Sequence, residues 1–324
     1  MKNSVASKTA GILVSVAIPI VMYMALVVYY PQNVNFDSAF AMVIQAITPA
    51  ILAWGVCFDL KVGNWDFSVG AAVLAASIIG GNIALQLNLG IVGIVVCCTL
   101  VGALSGALTG FVYILLKVPS IIVSIGVTLI LESLCAVAFG GSGVSVPVEF
   151  ILFGGNIPKL IVLAVAFGIA YYLYNYRRFG YHVRAVGNGT TIARQNGINI
   201  YRVKFLAFMA AGVFAGIYSV LMLGSTGITK AVSAPLGTMG LCFDAMMCVF
   251  VGMSLPRSVN LIAAVFIGSV IMQIIKLALM LFGMESAYNQ IVIALFVLIF
   301  MSISSRSDIF KKVFSRKKAI AAEQ

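Results

Sequence analysis

Four ionisable side chains lie in or beside long apolar runs: Asp66, Glu132, Asp244 and Lys276. At the centre of a bilayer an unpaired charge costs about 2.5–3.5 kcal/mol or more, so each needs a partner, water or a passing solute. Lys276 has apolar neighbours on both sides, and Glu132 and Asp244 are its candidate partners. Asp66 suits the cap of a helix beginning near Ser68 and Gly70, because a carboxylate there meets unpaired amides and the positive end of the helix dipole. Asp66, Ser68, Glu132, Asp244 and Lys276 therefore form the candidate intramembrane polar or solute path. The stretch Asp59 to Gly70, reading DLKVGNWDFSVG, interrupts the apolar pattern with two carboxylates, a lysine, an asparagine and two glycines. It predicts irregular backbone sheltered by protein or water.

Other chemistries have little material. The single histidine, His182, sits in a basic stretch, which leaves nothing for histidine metal sites, histidine relays or a Ser/His/Asp arrangement. The six cysteines, Cys57, Cys97, Cys98, Cys135, Cys242 and Cys248, lie in apolar runs without a CxxC spacing and read as small core residues. No catalytic residue, metal site or cofactor is expected in this chain. Neither Gly110 to Lys117 nor Gly224 to Lys230 has the spacing of a phosphate-wrapping loop, so any ATP and Mg would be bound by another chain.

These residues must be positioned by membrane helices. The chain has 324 residues, of which 62% are apolar and 9% charged, with mean hydropathy +1.12. A bilayer core about 30 Å thick takes about 20 helical residues per crossing. Apolar windows predict ten helices, near 11–30, 39–58, 70–88, 91–116, 120–139, 159–176, 205–224, 241–255, 259–282 and 286–304. Continuous runs of this kind do not suit an outer-membrane barrel, whose strands alternate. The run from Gly11 to Tyr30 lacks a small-x-small cleavage site and reads as a retained first helix. All of 1–324 is expected to form one transmembrane domain, with a cytoplasmic loop at 175–204 and a basic cytoplasmic tail at 306–324.

Of the twenty Lys and Arg, all but Lys159, Lys230 and Lys276 fall to one side of this arrangement, which places both termini in the cytoplasm. The opposite side carries Asp37, Glu149 and Glu285 and two longer connections, 140–158 and 225–240. The net charge of +11 thus reads as an orientation signal within the lipid bilayer, and nucleic acid is not an expected partner. Gly102, Gly106 and Gly110 repeat at four-residue spacing in one helix, and Gly212 and Gly216 in another. Such spacing lets helix backbones approach closely in lipid. Val118-Pro119-Ser120 reads as a short cytoplasmic turn.

The longest cytoplasmic connection, Arg177 to Lys204, is also the most specific. Asn188 and Thr190 are N-cap residue types, Thr191 to Asn196 has room for one or two helical turns, and Gly197 suits the stop. So short a helix is marginal in water and needs a surface to lie on, either its own bundle or a separate cytoplasmic subunit.

This stretch resembles the cytoplasmic signature of the ribose-type permeases of bacterial ATP-binding cassette importers, the CUT2-like simple-sugar group. The family's FGR, AVGGN, AAR and SGI elements correspond to Phe179-Gly180-Tyr181, Ala185-Val186-Gly187-Asn188, Ile192-Ala193-Arg194 and Asn196-Gly197-Ile198. Gly63 to Gly70 is similar to the family's GGIDLSVG, and Pro235-Leu236-Gly237 with Phe243-Asp244-Ala245 is similar to its PxxG and ELDAIAA region. The resemblance implies an all-α permease of the bacterial inner membrane that carries no ATPase of its own. It implies a coupling helix made by Asn188, Thr190, Thr191, Ala193, Arg194 and Gly197 that docks into a separate ATP-binding cassette ATPase. Its other implied partners are an extracytoplasmic solute-binding protein and a second permease copy or homologue. The expected cargo is a small polar solute, most simply a monosaccharide. The alternative is an ion-coupled secondary transporter that uses Glu132, Asp66, Asp244 and the 59–70 break as its ion site.

Overall fold

In a computed structural model, the structure describes residues 2–151, 154–256 and 258–283, together with Ile291, Val292 and Leu295. The expected helix at 286–304 and the basic tail at 306–324 lie outside the described residues. Two compact units are present, Met1–Ile275 and Lys276–Gln324.

The first unit opens with α1 (Lys2–Tyr29) and α2 (Phe36–Lys61). A capping box starts α2: the Ser38 amide donates to Asn35 Oδ1 at 3.0 Å, and the Asn35 amide to Ser38 Oγ at 3.3 Å. The reciprocal pair satisfies two amides that have no partner inside the helix. After the 62–68 break comes α3 (Val69–Ala75), which runs through a π turn at Ala76–Gly80 into α4 (Gly81–Gln86). The next helix, α5 (Gly90–Leu116), ends at Lys117 in a left-handed conformation, and Pro119 then precedes α6 (Ser120–Val137). A short strand β1 (Val144–Ser145) and α7 (Val148–Ile151) lead to α8 (Asn156–Asn175). The 177–204 connection holds α9 (Arg178–Asn188) and α10 (Thr190–Gln195). It is followed by α11 (Ile200–Thr226), strand β2 (Ile228–Thr229), α12 (Met239–Ser254) and α13 (Leu261–Leu281), whose last turns belong to the second unit.

Among the described residues eight helical spans are long and apolar enough to cross a membrane. The expected eighth helix is the exception: α12 has only 16 residues, about 24 Å at 1.5 Å per residue. The polar stretch before it is the reason, as described below.

The centre of the first unit is α11, packed across α5 and α2. The five glycines singled out by spacing meet here. A Cβ on Gly102 would stand 2.7 Å from the Gly216 amide, one on Gly212 would stand 2.9 Å from the Gly106 Cα, and one on Gly216 would stand 2.6 Å from the Thr99 Cα. Gly110 lies against the Phe205 ring at 2.9 Å by the same measure. Lipid offers no net drive for burying apolar side chains, so contact between bare backbones supplies the packing. Gly252 and Gly268 do the same between α12 and α13, with a Gly268 Cβ 2.7 Å from the Gly252 amide, and sequence spacing did not reveal that pair. Larger groups fill the core beneath α9: Phe58 meets Tyr174, Phe179 and Phe214 at ring-centroid distances of 6.3, 5.4 and 6.2 Å.

At the opposite end the two longer connections pair with each other. Strands β1 and β2 are antiparallel, with Val144 opposite Thr229 and Ser145 opposite Ile228. The Asn82 amide group ties this latch to the membrane helices by donating to the Gly143 carbonyl at 2.9 Å and to the Ile78 carbonyl at 2.8 Å.

Candidate translocation site and coupling hairpin

Residues 62–68 have no helix to satisfy their backbone, and one face of α6 takes over that task. Ser120 Oγ accepts the Trp65 amide at 2.9 Å. Four residues on, Ser124 Oγ donates toward the Trp65 carbonyl at 3.3 Å, and four further, Thr128 Oγ1 donates toward the Phe67 carbonyl at 3.1 Å. Each of these two hydroxyls also lies within reach of a carbonyl on its own helix. Residues spaced by four share a helix face, so α6 presents a vertical row of hydroxyls to the break. The row is buried, and it removes the cost of leaving peptide groups unpaired in a low-dielectric interior.

Asp66 and Ser68 sit at the head of α3. Asp66 Oδ1 accepts the Ser68 amide at 2.8 Å and the Ser68 hydroxyl at 2.6 Å. Ser68 Oγ lies 2.9 Å from Thr109 Oγ1 on α5. This differs from the expected cap in one respect. Asp66 holds Ser68, the residue that starts the helix, and does not reach the first-turn amides. The Gly70 amide goes instead to Cys242 Sγ at 3.1 Å, and that thiol lies 3.1 Å from the Phe67 carbonyl.

The same face of α6 continues, four residues beyond Thr128, to Glu132. Its Oε2 accepts the Leu236 amide at 2.7 Å, while Oε1 accepts the Thr238 amide at 2.9 Å and the Thr238 hydroxyl at 2.7 Å. Glu132 therefore anchors the polar loop ahead of α12, and both its oxygens are engaged there. In the sequence reading it is one of two candidate partners of Lys276, with Asp244. Lys276 is half-buried on α13 in the second unit, and Asp244 is half-buried in the first turns of α12. The loop is drawn in so far that the α12 N-terminus abuts the start of α3, where a Cβ on Gly70 would collide with the Thr238 carbonyl. This explains why α12 is short: its first turns are replaced by an irregular segment hung on Glu132.

Glu132→Ala is expected to strand three donors at 236–238. At about 1.5–3 kcal/mol for a hydrogen bond to a charged group, the loop should loosen and limited trypsin cleavage after the exposed Lys230 should become several-fold faster. Glu132→Gln, which keeps one acceptor oxygen, should fall between. Unchanged cleavage in the alanine variant would contradict the anchor.

Aromatic rings stand where the two irregular segments meet. Trp65 pairs with Phe250 at 6.0 Å between ring centroids, and Phe67 with Phe243 at 5.7 Å. Phe243 and Phe250 are seven residues apart on α12, so the pairs form two rungs about 10 Å apart. Phe243 is 39% exposed, and the other three rings are half-buried. Non-helical backbone is not stable against lipid tails, so the exposed side of these rungs must meet protein or water.

The 177–204 connection is a helical hairpin. Sequence reasoning expected one short helix and missed α9, whose buried residues Gly180, Val183 and Val186 repeat at three-residue spacing. Gly187 packs on the Lys61 carbonyl at the end of α2. Asn188 is the last residue of α9 and not an N-cap. The cap position of α10 is Gly189, without a side-chain hydrogen bond, and Thr190 is the first helical residue. The helix stops at Gly197, where φ is +77° and the Gly197 and Ile198 amides donate to the Arg194 and Ala193 carbonyls at 3.0 and 3.1 Å. Ala193 is buried against the hairpin, while Thr190, Thr191, Ile192, Arg194 and Gln195 face outward. Ile192 is 64% exposed, an apolar knob on an otherwise polar tip. Beside it lies a cleft of about 520 Å³ lined by Arg194, Gly197, Asn199 and Tyr201 among others.

Residues 38–301 match the family described as "Branched-chain amino acid transport system / permease component". The chain belongs to this permease family. It is 25% identical over 294 residues to the ribose import permease protein RbsC of Escherichia coli (strain K12), covering 86% of this chain and 88% of that protein. It is 26% identical over 305 residues to the galactose/methyl galactoside import permease protein MglC of Haemophilus influenzae, covering 86% and 88%. It is also 27% identical over 282 residues to the tyrosine transport system permease protein of Clostridioides difficile, covering 83% and 92%. No solved structure matches. The permease is a multi-pass protein of the bacterial inner membrane and a component of an ATP-binding cassette importer. Permease membership fits ATP-driven import better than the ion-coupled alternative.

Proposed function

We propose that this permease carries a small uncharged solute with an apolar face, a monosaccharide or a close relative, along the rungs formed by Trp65, Phe67, Phe243 and Phe250. The observation that carries this reading is how two of the three carboxylates at the breaks are used, the third, Asp59, being fully buried at the end of α2. Asp66 and Glu132 are both engaged in holding Ser68 and the 236–238 loop. Aromatic planes remain, and such planes suit the C–H face of a sugar ring. The ribose and galactose permeases among its relatives support the same class. Asp66, Ser68 and Glu132 then shape the path without binding an ion.

Import requires that a partner bind one access state better than the other, since equal affinity shifts nothing. In this reading α10 is the handle: a separate ATPase, which holds the ATP and Mg, grips Thr190, Thr191, Ile192 and Arg194. A solute-binding protein delivers cargo to the connections at 140–158 and 225–240. A second permease copy or a homologue completes the path.

The test is uptake of labelled ribose, galactose and tyrosine into vesicles holding the assembled importer. Uptake of a sugar that needs an intact ATP site on the partner, with Phe243→Ala raising KM about tenfold, a loss of about 1.4 kcal/mol, would support the reading. Uptake that survives inactivation of that site and collapses with an ionophore would overturn the mechanism, and uptake of tyrosine alone would overturn the solute class.

A further inference from the structure

An apolar groove of about 250 Å³ opens between α8 and α11. It is lined by Ile169 and Leu173 of α8, Phe179 at the start of α9, and Leu206, Met209 and Val213 of α11, with Ala210 and Phe214 behind them. No polar residue enters it. Its cytoplasmic end is different. On α11, Arg202 lies four residues before Leu206 and seven before Met209, so it stands one turn beyond the groove on the same face. Past the end of α8, Arg177 is the extended residue ahead of α9, with its guanidinium 5.0 Å from the centre of the Tyr172 ring, and Arg178 begins α9 beside Phe179 of the groove. All three arginines are exposed. Between Glu149 and Asp244 the chain contains no carboxylate, so α8, the hairpin and α11 carry no acidic side chain of their own.

An apolar slot with three exposed arginines in the segments that bound one end of it matches one kind of molecule in a membrane. We propose that this groove is a binding site for an anionic phospholipid of the cytoplasmic leaflet, with an acyl chain between α8 and α11 and its phosphate held by Arg177, Arg178 and Arg202. Arginine's planar fork suits phosphate oxygens, and basic residues at the cytoplasmic surface draw acidic lipid. The acyl chain would touch Phe179, which also packs on Phe58 at 5.4 Å. Bound lipid therefore braces the base of the hairpin that carries α10. The site depends only on the hairpin facing the cytoplasm and stands whether or not the solute is a sugar.

The test is native mass spectrometry of the purified full chain titrated with phosphatidylglycerol and, separately, phosphatidylcholine. Phosphatidylglycerol is expected to bind at least tenfold more tightly, and the triple variant Arg177→Gln, Arg178→Gln, Arg202→Gln to reduce that preference below twofold. Met209→Trp, which fills the slot, should weaken both lipids. A phosphatidylglycerol carrying a photoreactive group in its acyl chain should label peptides from α8 and α11 in the wild type and not in Met209→Trp. These arginines are exposed, so the helical circular dichroism of the triple variant should match wild type. Equal affinity for the two lipids, a preference that survives the triple variant, or labelling confined to other helices would overturn the proposal. So would a wild-type dimer that Met209→Trp dissociates while lipid binding stays unchanged, because the groove would then be an interface between copies.

Discussion

Gly106→Leu is expected to abolish recovery of folded permease, whereas Gly126→Leu leaves yield and thermal stability close to wild type. A Cβ at Gly106 meets the Phe208 carbonyl and lies 3.0 Å from the Gly212 Cα, while one at Gly126 meets nothing within 4 Å. Overpacking usually costs about 1–3 kcal/mol when neighbouring side chains can turn aside. Here the obstacle is the backbone of α11, which can move only by separating the two helices at the centre of the unit. Each of the other contacts along the α5–α11 seam would loosen with it, so the loss belongs at the upper end of that range or beyond it. Monodisperse yield by size exclusion and the unfolding midpoint in detergent measure the effect. Comparable behaviour of the two variants would show that the seam does not hold the fold.

Ile192→Asp is expected to separate folding from coupling. The side chain is 64% exposed and lies only over Gly189 at the head of its own helix, so the unfolding midpoint should stay near wild type. If the tip of α10 inserts into the ATPase, a carboxylate at its apolar knob must be desolvated on docking without a partner, which costs several kcal/mol. Co-purification of the ATPase should fall more than tenfold, and solute-stimulated ATP hydrolysis should vanish with it. Gly197→Pro acts on the same element from within. Its φ of +77° is closed to proline, and the amide that donates to the Arg194 carbonyl at 3.0 Å is removed. That variant should insert normally and hydrolyse ATP without transport. Normal ATPase retention in Ile192→Asp would mean that the motor grips elsewhere.

Much of this architecture was legible because membrane helices announce themselves through length and apolarity, and because glycines at four-residue spacing have few reasons to exist in lipid other than close packing. The end of α10 was legible through its stop at Gly197. Two things were hidden. The capping role given to Asn188 failed because α9 runs straight through it; its amphipathic pattern of Gly180, Val183 and Val186 is too short to stand out among basic residues. The role of Glu132 was read from its charge, when its position was more informative. Ser120, Ser124, Thr128 and Glu132 recur every fourth residue in an otherwise apolar helix, a pattern visible in the sequence but meaningful only once something needing hydrogen bonds lies opposite. What lies opposite, the backbone of 65–67 and 236–238, depends on tertiary placement that no local pattern encodes.

One rigid rod thus carries both discontinuities of the bundle. The stretch 62–68 hangs on its first three turns, and the stretch ahead of α12, coming from the other end, hangs on its fourth. A rod tilted about its middle moves its two ends in opposite directions, so a push delivered near Ser120 reaches Glu132 reversed in sign. Opening one mouth while shutting the other would then need no relay through the bundle, only a seesaw.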